Sequence, residues 1–213
     1  MGQFIQLTSV VGKTKNEVES SLKNYAISEG GGLEKEVLST DDDNFCTICE
    51  ADHNSTVFYS YAYGKWEQSS KFISKELKAP VFTFHIHDSD LWLYLFFVNG
   101  KLVDKFNPIP DYWDDELEDE EIKSWQGNAE TISKYLNIEK SKIEKYLVTW
   151  DLDEDEIKAY PTDQYVNEDL QLLDFMKKLK LPYPLNQNEE PIGEVYKFWT
   201  KPKKRKSDEN AST

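Results

Sequence analysis

The amino-acid sequence predicts an α+β protein, with a mixed or antiparallel sheet, helices on one face and a small helical region after it. Residues 81–106 form two apolar, β-branched and aromatic runs around Asn99-Gly100, a dipeptide typical of tight hairpin turns. Two amphipathic helical patterns precede this hairpin. The composition shifts from apolar to acidic after Pro108 and Pro110. The 213-residue chain is long enough to bury a sizeable core.

Strand and helix patterns alternate over the first 80 residues. Thr14-x-x-Glu17 is a capping box, which marks the start of a helix. Pro80 ends the second helical pattern, because proline restricts the residue before it to extended conformations. The predicted elements are a strand at 4–11, a helix from Thr14 to the glycines at 30–32, strands at about 44–50 and 56–63, and a helix at about 65–77. The strand at 4–11 is predicted to be an edge or first strand because apolar and polar residues alternate there.

The hairpin region contains a second turn signal. Asp88-Ser89-Asp90 is typical of a local turn, because Asp and Ser side chains hydrogen-bond to their own backbone. Strands at 81–87 and 91–98 would then join a third strand that follows Asn99-Gly100, as a three-stranded meander. With 81–106 counted as two strands, the element order is β-α-β-β-α-β-β.

The chain divides into three predicted regions. Residues 1–112 form the α+β sheet region, 113–200 an acidic loop and helical region packed on it, and 201–213 a disordered basic tail. In the second region, residue spacing predicts an amphipathic helix over about 122–136, a short helix capped by Ser141, a helix over about 166–179 and a last strand at 193–200.

The net charge of −15 limits the classes of partner. Residues 201–213 carry a net charge of +3, so the other 200 residues carry −18. Such a body repels nucleic acid and anionic membranes, and it favours a basic protein partner or simple solubility. Because the sequence has neither an 18-residue apolar run nor a signal-peptide pattern, we expect a cytoplasmic protein. No cofactor is predicted, and the oligomeric state is left open.

Cys46 and Cys49 form a CxxC motif, with His53 as a third candidate zinc ligand. No second CxxC or HxxxH pattern completes a tetrahedral site. The flanking residues predict a strand, in which positions i and i+3 point to opposite faces. We therefore interpret the two cysteines as reduced structural thiols, one buried and one half-buried.

A histidine- and aspartate-rich cluster, His85, His87, Asp88 and Asp90, is the first candidate site. On a strand, His85 and His87 share a face, so the pair could bind one metal ion with Asp88 or Asp90 nearby. The favoured alternative is that these polar residues serve the turn and decorate the rim of the sheet. Proton transfer and ligand contact are the other hypotheses for this cluster.

The residues around this cluster also carry a family resemblance. They are His87-Asp88-Ser89-Asp90, Tyr94, Val98, Gly100, Val103-Asp104, Phe106-Asn107 and Pro110-Asp111-Tyr112. This pattern resembles an uncharacterised bacterial protein family with an HDSD-type strand, a hairpin, a PDYF-like end and a helical C-terminal part. The resemblance spans about residues 73–147 and implies no activity, because none is known for that family. The basic tail and the heavy acidic load are not part of the family pattern.

The acidic segment 111–121 is the second candidate site, because eight of its eleven residues are Asp or Glu. Carboxylates this close together repel one another and must stay solvated. The segment is therefore either a solvated loop or a docking surface for a basic partner, where charge complementarity raises the association rate. The predicted binding residues are Asp111, Tyr112, Trp113, Asp114, Asp115, Glu116 and Trp125.

Residues 131–147 have the core spacing of a DNA-reading helix-turn-helix. The predicted recognition helix would present Lys140, Lys142 and Lys145, but also Glu139 and Glu144. A phosphate-binding module needs a basic footprint, which these carboxylates and the acidic body oppose. Helix pairs without DNA contacts have the same spacing, so nucleic acid is not the favoured partner.

Enzyme signatures are scarce, since GxGxxG, GxxxxGK[ST], HExxH and GxSxG patterns are absent. The sequence leans towards non-enzymatic protein binding by an acidic surface. One concrete version is an immunity-type protein that neutralises a basic toxin, such as a nuclease, by mimicking its polyanionic substrate. The alternatives are a DNA-associated regulator that uses residues 131–147 and a metal-dependent enzyme at His85 and His87.

Overall fold

The fold is known from a computed structural model, which describes residue 2 and residues 4–35, 44–60, 63–150 and 168–201. The strands are β1 (Ile5–Val10), β2 (Gly32–Lys35), β3 (Phe45–Ala51), β4 (Asn54–Tyr59), β5 (Pro80–His87), β6 (Leu91–Val98), β7 (Lys101–Phe106) and β8 (Glu194–Trp199). The helices are α1 (Lys15–Ser28), α2 (Trp66–Leu77), α3 (Asp119–Ser124), α4 (Ala129–Leu136) and α5 (Glu168–Lys178). Short 3-10 turns lie at Lys140–Lys142 and Glu144–Tyr146. The predicted α+β class is confirmed.

The eight described strands form one sheet in the order β2-β8-β3-β4-β1-β5-β6-β7, and all neighbouring strands are antiparallel. β8 lies between β2 and β3, although about 150 residues separate it from them in the chain. The sheet therefore includes a strand from the region after residue 112. β2 was not among the predicted strands.

β1 is the first strand, as predicted, but it lies inside the sheet rather than at an edge. It pairs with β4 on one side and β5 on the other, and all six of its residues are buried. Two of its polar side chains are accommodated by hydrogen bonds, between Thr8 and Ser70 of α2 (2.6 Å) and between Ser9 and Thr56 of β4 (2.8 Å). Buried polar groups are tolerated where such partners exist.

The sheet is covered on both faces. α1 and α2 pack on one face, where Leu22 and Ile73 join Val57 in one buried cluster. The helical region after residue 112 packs on the opposite face, where Phe175 of α5 contacts Phe84 of β5. Among the described residues, no helix is long and apolar enough to cross a membrane.

The predicted cap of the first helix and the two predicted turns of the meander are confirmed. Thr14 caps α1 through the predicted capping box with Glu17. Asp88 and Ser89 have positive φ angles, and Asp90 N donates to His87 O at 2.8 Å, so the chain turns between β5 and β6. Asn99-Gly100 then joins β6 to β7.

The single helix predicted over 122–136 is wrong, because the chain breaks between α3 and α4. Gly127 has a φ of +70°, and Gln126 forms a β-bridge with Phe106 at the end of β7. Asn128 then caps α4 by accepting a hydrogen bond from Thr131 N at 2.9 Å. The apolar spacing continues through this break, which is why the sequence pattern does not show it.

The alternative of a helix-turn-helix over 131–147 is contradicted by the structure. α4 ends at Leu136, and the next segment forms two 3-10 turns in place of an α-helix. Ser141 is not a helix cap, since the first of these turns begins after Glu139 without a side-chain hydrogen bond. A recognition helix is therefore missing from this segment.

α5 is confirmed, and its apolar spacing identifies Met176 and Leu179 of the buried face correctly but not Leu170. Leu170 is exposed, whereas Leu172 and Phe175 are buried. Gln171 is also buried, and its Oε1 accepts a hydrogen bond from Trp92 Nε1 at 3.4 Å. The start of the predicted helix at 166 and the predicted disorder of the tail after residue 201 lie outside the described residues.

Candidate functional site

Tyr112, Trp113 and His87 form an aromatic corner at the end of β5. The His87 ring lies edge-on to both aromatic rings, with centroid distances of 5.6 Å to Tyr112 and 5.0 Å to Trp113. Tyr112 and Trp113 are themselves 5.0 Å apart. Phe4, just before β1, completes the corner at 5.0 Å from His87. The fold thus joins the two predicted candidate sites, the histidine cluster and the acidic segment.

The turn residues Asp88 and Asp90 are exposed. Tyr112 donates a hydrogen bond from its hydroxyl to Asp90 Oδ2, which attaches the aromatic corner to the β5–β6 turn. This hydrogen bond, with smaller contributions from burial and from the charge of Asp90, raises the pKa of Tyr112. Asp90 therefore positions Tyr112.

The acidic segment places its carboxylates at the surface. Asp111, Asp114, Asp115 and Glu116 are exposed, and 53% of Trp113 is exposed. Among the described residues, no ion pair involves a carboxylate of residues 111–121. The segment thus combines an exposed indole ring with carboxylates that form no ion pair with a described residue.

Trp125 is in a different environment from Trp113. It is half-buried, and Lys105 Nζ of β7 lies 4.0 Å from its ring centroid. Its carbonyl oxygen accepts a hydrogen bond from Asn107 N at 2.9 Å. Lys105 therefore already occupies one face of this ring, as a cation–π partner.

His85 and His87 share one face of β5, as predicted. His85 Nε2 lies 3.3 Å from His87 Nδ1, and His85 Nδ1 lies 3.0 Å from Ile5 O. Because a carbonyl can only accept, His85 Nδ1 carries the proton and donates it to Ile5 O. The Trp66 ring stacks on His85 at 5.3 Å. Burial lowers the pKa of His85 to about 4.

No group of three or more His, Cys, Asp or Glu side chains that could hold a metal ion occurs in the described parts of the chain. Cys46 and Cys49 are free thiols, and both are buried, so the prediction of one half-buried thiol is wrong. Burial raises the pKa of Cys49 to about 11. His53 is exposed in the β3–β4 turn. The two thiols are thus not part of such a group among the described residues, and His85 and His87 are the histidines whose ring nitrogens lie close together.

The three lysines of the candidate nucleic-acid site each contact a residue of the same segment. Lys140 pairs with Glu144 at 3.6 Å, and Lys142 pairs with Glu139 at 3.3 Å. Lys145 Nζ lies over the ring of Tyr146, 5.2 Å from its centroid. These contacts reduce the positive charge that the segment offers to a phosphate.

Phe4 and Trp66 were not among the predicted site residues, although both contact the histidine pair. Each comes from an element distant from β5 in the sequence, so only the tertiary fold brings them together. Comparisons with protein-family models, with curated proteins and with solved structures each gave no match to this chain.

Proposed function

We propose that this protein is a non-enzymatic protein-binding module whose docking surface is formed by Asp111–Glu116 and whose partner is a basic protein. The observation that supports this proposal best is the exposed Trp113 ring, which lies within a group of carboxylates that have no cation partner among the described residues. In the immunity-type version, the partner is a basic toxin such as a nuclease, and the carboxylates mimic its polyanionic substrate.

Trp113 is suited to act as an anchor. Tryptophan is enriched among the residues that dominate binding energy at interfaces. Its ring packs against His87 and Tyr112, and Tyr112 is hydrogen-bonded to Asp90. A side chain that is already held in place loses less conformational entropy when a partner binds.

The surrounding carboxylates favour a basic partner. Like charges held close together repel one another, and a basic surface relieves that repulsion on binding. Rim charges of this kind mainly raise the association rate and make it sensitive to salt. The lysines at 140 and 142 are paired within their own segment, so the DNA-associated alternative has less support.

The test is affinity capture with the full chain from its native lysate, at low and high salt, followed by measured binding of the captured protein. We expect a basic partner that is released by high salt. Trp113→Ala should weaken its binding by about 30-fold, the equivalent of ~2 kcal/mol for a central anchor. Neutralising Asp114, Asp115 and Glu116 together should mainly slow association.

The matched controls change similar residues elsewhere in the fold. Leu102→Ala truncates another exposed apolar side chain, and Asp52→Asn with Glu34→Gln and Glu189→Gln removes three exposed charges. Both should leave binding within about twofold of the unmodified chain. A partner that is not basic, or equal losses in the control and surface variants, would overturn the proposal.

A further inference from the structure

We propose that His85 and His87 form a metal site, in which His85 Nε2 and His87 Nδ1 bind one late first-row divalent ion such as Cu²⁺ or Zn²⁺. The site lies at the end of β5, and Gln6 and solvent complete the coordination. This inference goes beyond the proposed protein binding and does not depend on it.

The separation of the two nitrogens is the first argument. Adjacent nitrogen ligands of a tetrahedral ion, each about 2.0–2.1 Å from it, lie about 3.3–3.4 Å apart. The distance between His85 Nε2 and His87 Nδ1 is 3.3 Å. The backbone therefore already holds the two rings at the spacing that a metal ion requires, and a rotation of the half-buried His87 ring aims both lone pairs at one point.

The protonation of His85 is the second argument. Its Nδ1–H donates to Ile5 O, so Nε2 is unprotonated and carries the lone pair that a metal ion needs. Metal-binding histidines commonly donate their other ring N–H to a backbone carbonyl in this way.

The proton on His87 moves when a metal binds. His87 Nδ1–H donates to His85 Nε2, since that nitrogen of His85 is unprotonated and can only accept. Metal binding requires a free lone pair on His87 Nδ1, and the proton is then carried by His87 Nε2. Two neutral imidazoles thus bind the ion without net proton release.

Gln6 offers a third donor beside the pair. It lies directly opposite His85 in the β1–β5 register, so the two side chains leave the same face of the sheet. It is 7% exposed, and its Oε1 has no hydrogen-bond partner among the described residues. A buried acceptor without a partner is costly, and coordination of a cation would satisfy it.

The donor set selects the class of metal. Imidazole nitrogen suits zinc, copper and nickel, whereas magnesium and calcium prefer several oxygen ligands. Asp90 accepts a hydrogen bond from Tyr112 and is already engaged. We therefore expect copper to bind more tightly than zinc, in the usual order for such ligands, and magnesium not to bind.

The experiment is calorimetric titration of the untagged full chain with Cu²⁺, Zn²⁺ and Mg²⁺ at neutral pH. One equivalent of Cu²⁺ or Zn²⁺ should bind. His85→Gln and His87→Gln should each lower the affinity by at least ~10-fold, because even residues that only orient a ligand contribute this much. His53→Gln is the matched control, since it removes the third and last histidine of the chain, and it should change nothing.

A second readout locates the bound ion. Trp66 stacks on His85, and Trp113 lies 5.0 Å from the His87 ring. Bound Cu²⁺ should therefore quench part of the tryptophan fluorescence, and Trp113→Phe should reduce the quenched fraction. Should His85→Gln fail to fold because its position is buried, the half-buried His87→Gln carries the test. Undiminished binding in His87→Gln, loss of binding in His53→Gln, or no Zn²⁺ or Cu²⁺ binding at all would overturn the proposal.

Discussion

Gly127 separates α3 from α4, and we predict that Gly127→Ala lowers the free energy of unfolding by about 2–5 kcal/mol. Its φ of +70° lies in the left-handed region, which costs other L-residues about 1–2 kcal/mol. An added Cβ would lie 2.9 Å from Tyr94 Oη and 3.2 Å from side-chain atoms of Leu147 and Phe106. Overpacking of a filled region costs typically ~1–3 kcal/mol, and the two contributions add.

Gly12→Ala is the matched control for the backbone contribution. Gly12 has nearly the same φ, +67°, but a Cβ added there meets no atom within 4 Å. It should therefore lose only the backbone contribution of about 1–2 kcal/mol. The difference between the two variants measures the packing around Gly127.

The assay is urea unfolding of the unmodified chain and both variants, followed by tryptophan fluorescence. Equal slopes of free energy against urea would show that the denatured state is the same in all three proteins. If Gly127→Ala costs no more than Gly12→Ala, the contacts with Tyr94, Leu147 and Phe106 are not as described, and the reasoning is refuted.

Two further predictions concern buried polar groups. Because burial lowers the pKa of His85 from 6.5 to about 4, the unfolded chain binds more protons between these pH values. Stability should therefore fall by up to about 3 kcal/mol as the pH falls from 6.5 to 4. Urea midpoints across this range should show a slope that His85→Gln reduces, and an unchanged slope would contradict the prediction. Tyr94 donates a hydrogen bond to Asp104 at 2.7 Å, and burial raises the pKa of this carboxyl group. Tyr94→Phe should cost about 1.5–3 kcal/mol in urea unfolding. Tyr112→Phe, which removes an exposed hydroxyl–carboxylate bond, should cost less than about 1 kcal/mol, and equal losses would disprove the role of burial.

Elements that depend on neighbours in the chain could be predicted from the sequence. The capping box of Thr14 and Glu17 requires only residues three positions apart, and Asn99-Gly100 sets the backbone of its own turn. The meander follows from the turn signals at 88–90 and 99–100, because these short turns join its three strands. Such interactions form in almost the same way whatever the rest of the chain does.

The failed predictions involve partners distant in the sequence. The apolar spacing over 122–136 suits one helix, but Gln126 pairs with Phe106 and the helix breaks. β8 was predicted as a strand, but nothing in its pattern specifies that it pairs with both β2 and β3. A strand pattern shows which residues alternate between the faces, and it does not identify the neighbouring strand.

In the candidate site, too, short-range spacing was predictable from the sequence and long-range contacts were not. The two-residue period of a strand placed His85 and His87 on one face from the sequence alone. The tertiary fold decides that Trp113 contacts His87 and that Gln6 lies opposite His85. Neither spacing nor composition contains that information.

The sequence by itself determined the α+β class, most of the strands and helices, the acidic character and the shared face of the two histidines. These properties depend on residue type and short-range spacing. Only the tertiary structure decided the strand order, the covering of both faces of the sheet and the union of the histidine pair with the aromatic and acidic segment. The physical reason is that packing and strand pairing join residues far apart in the chain, and many pairings satisfy the same local pattern.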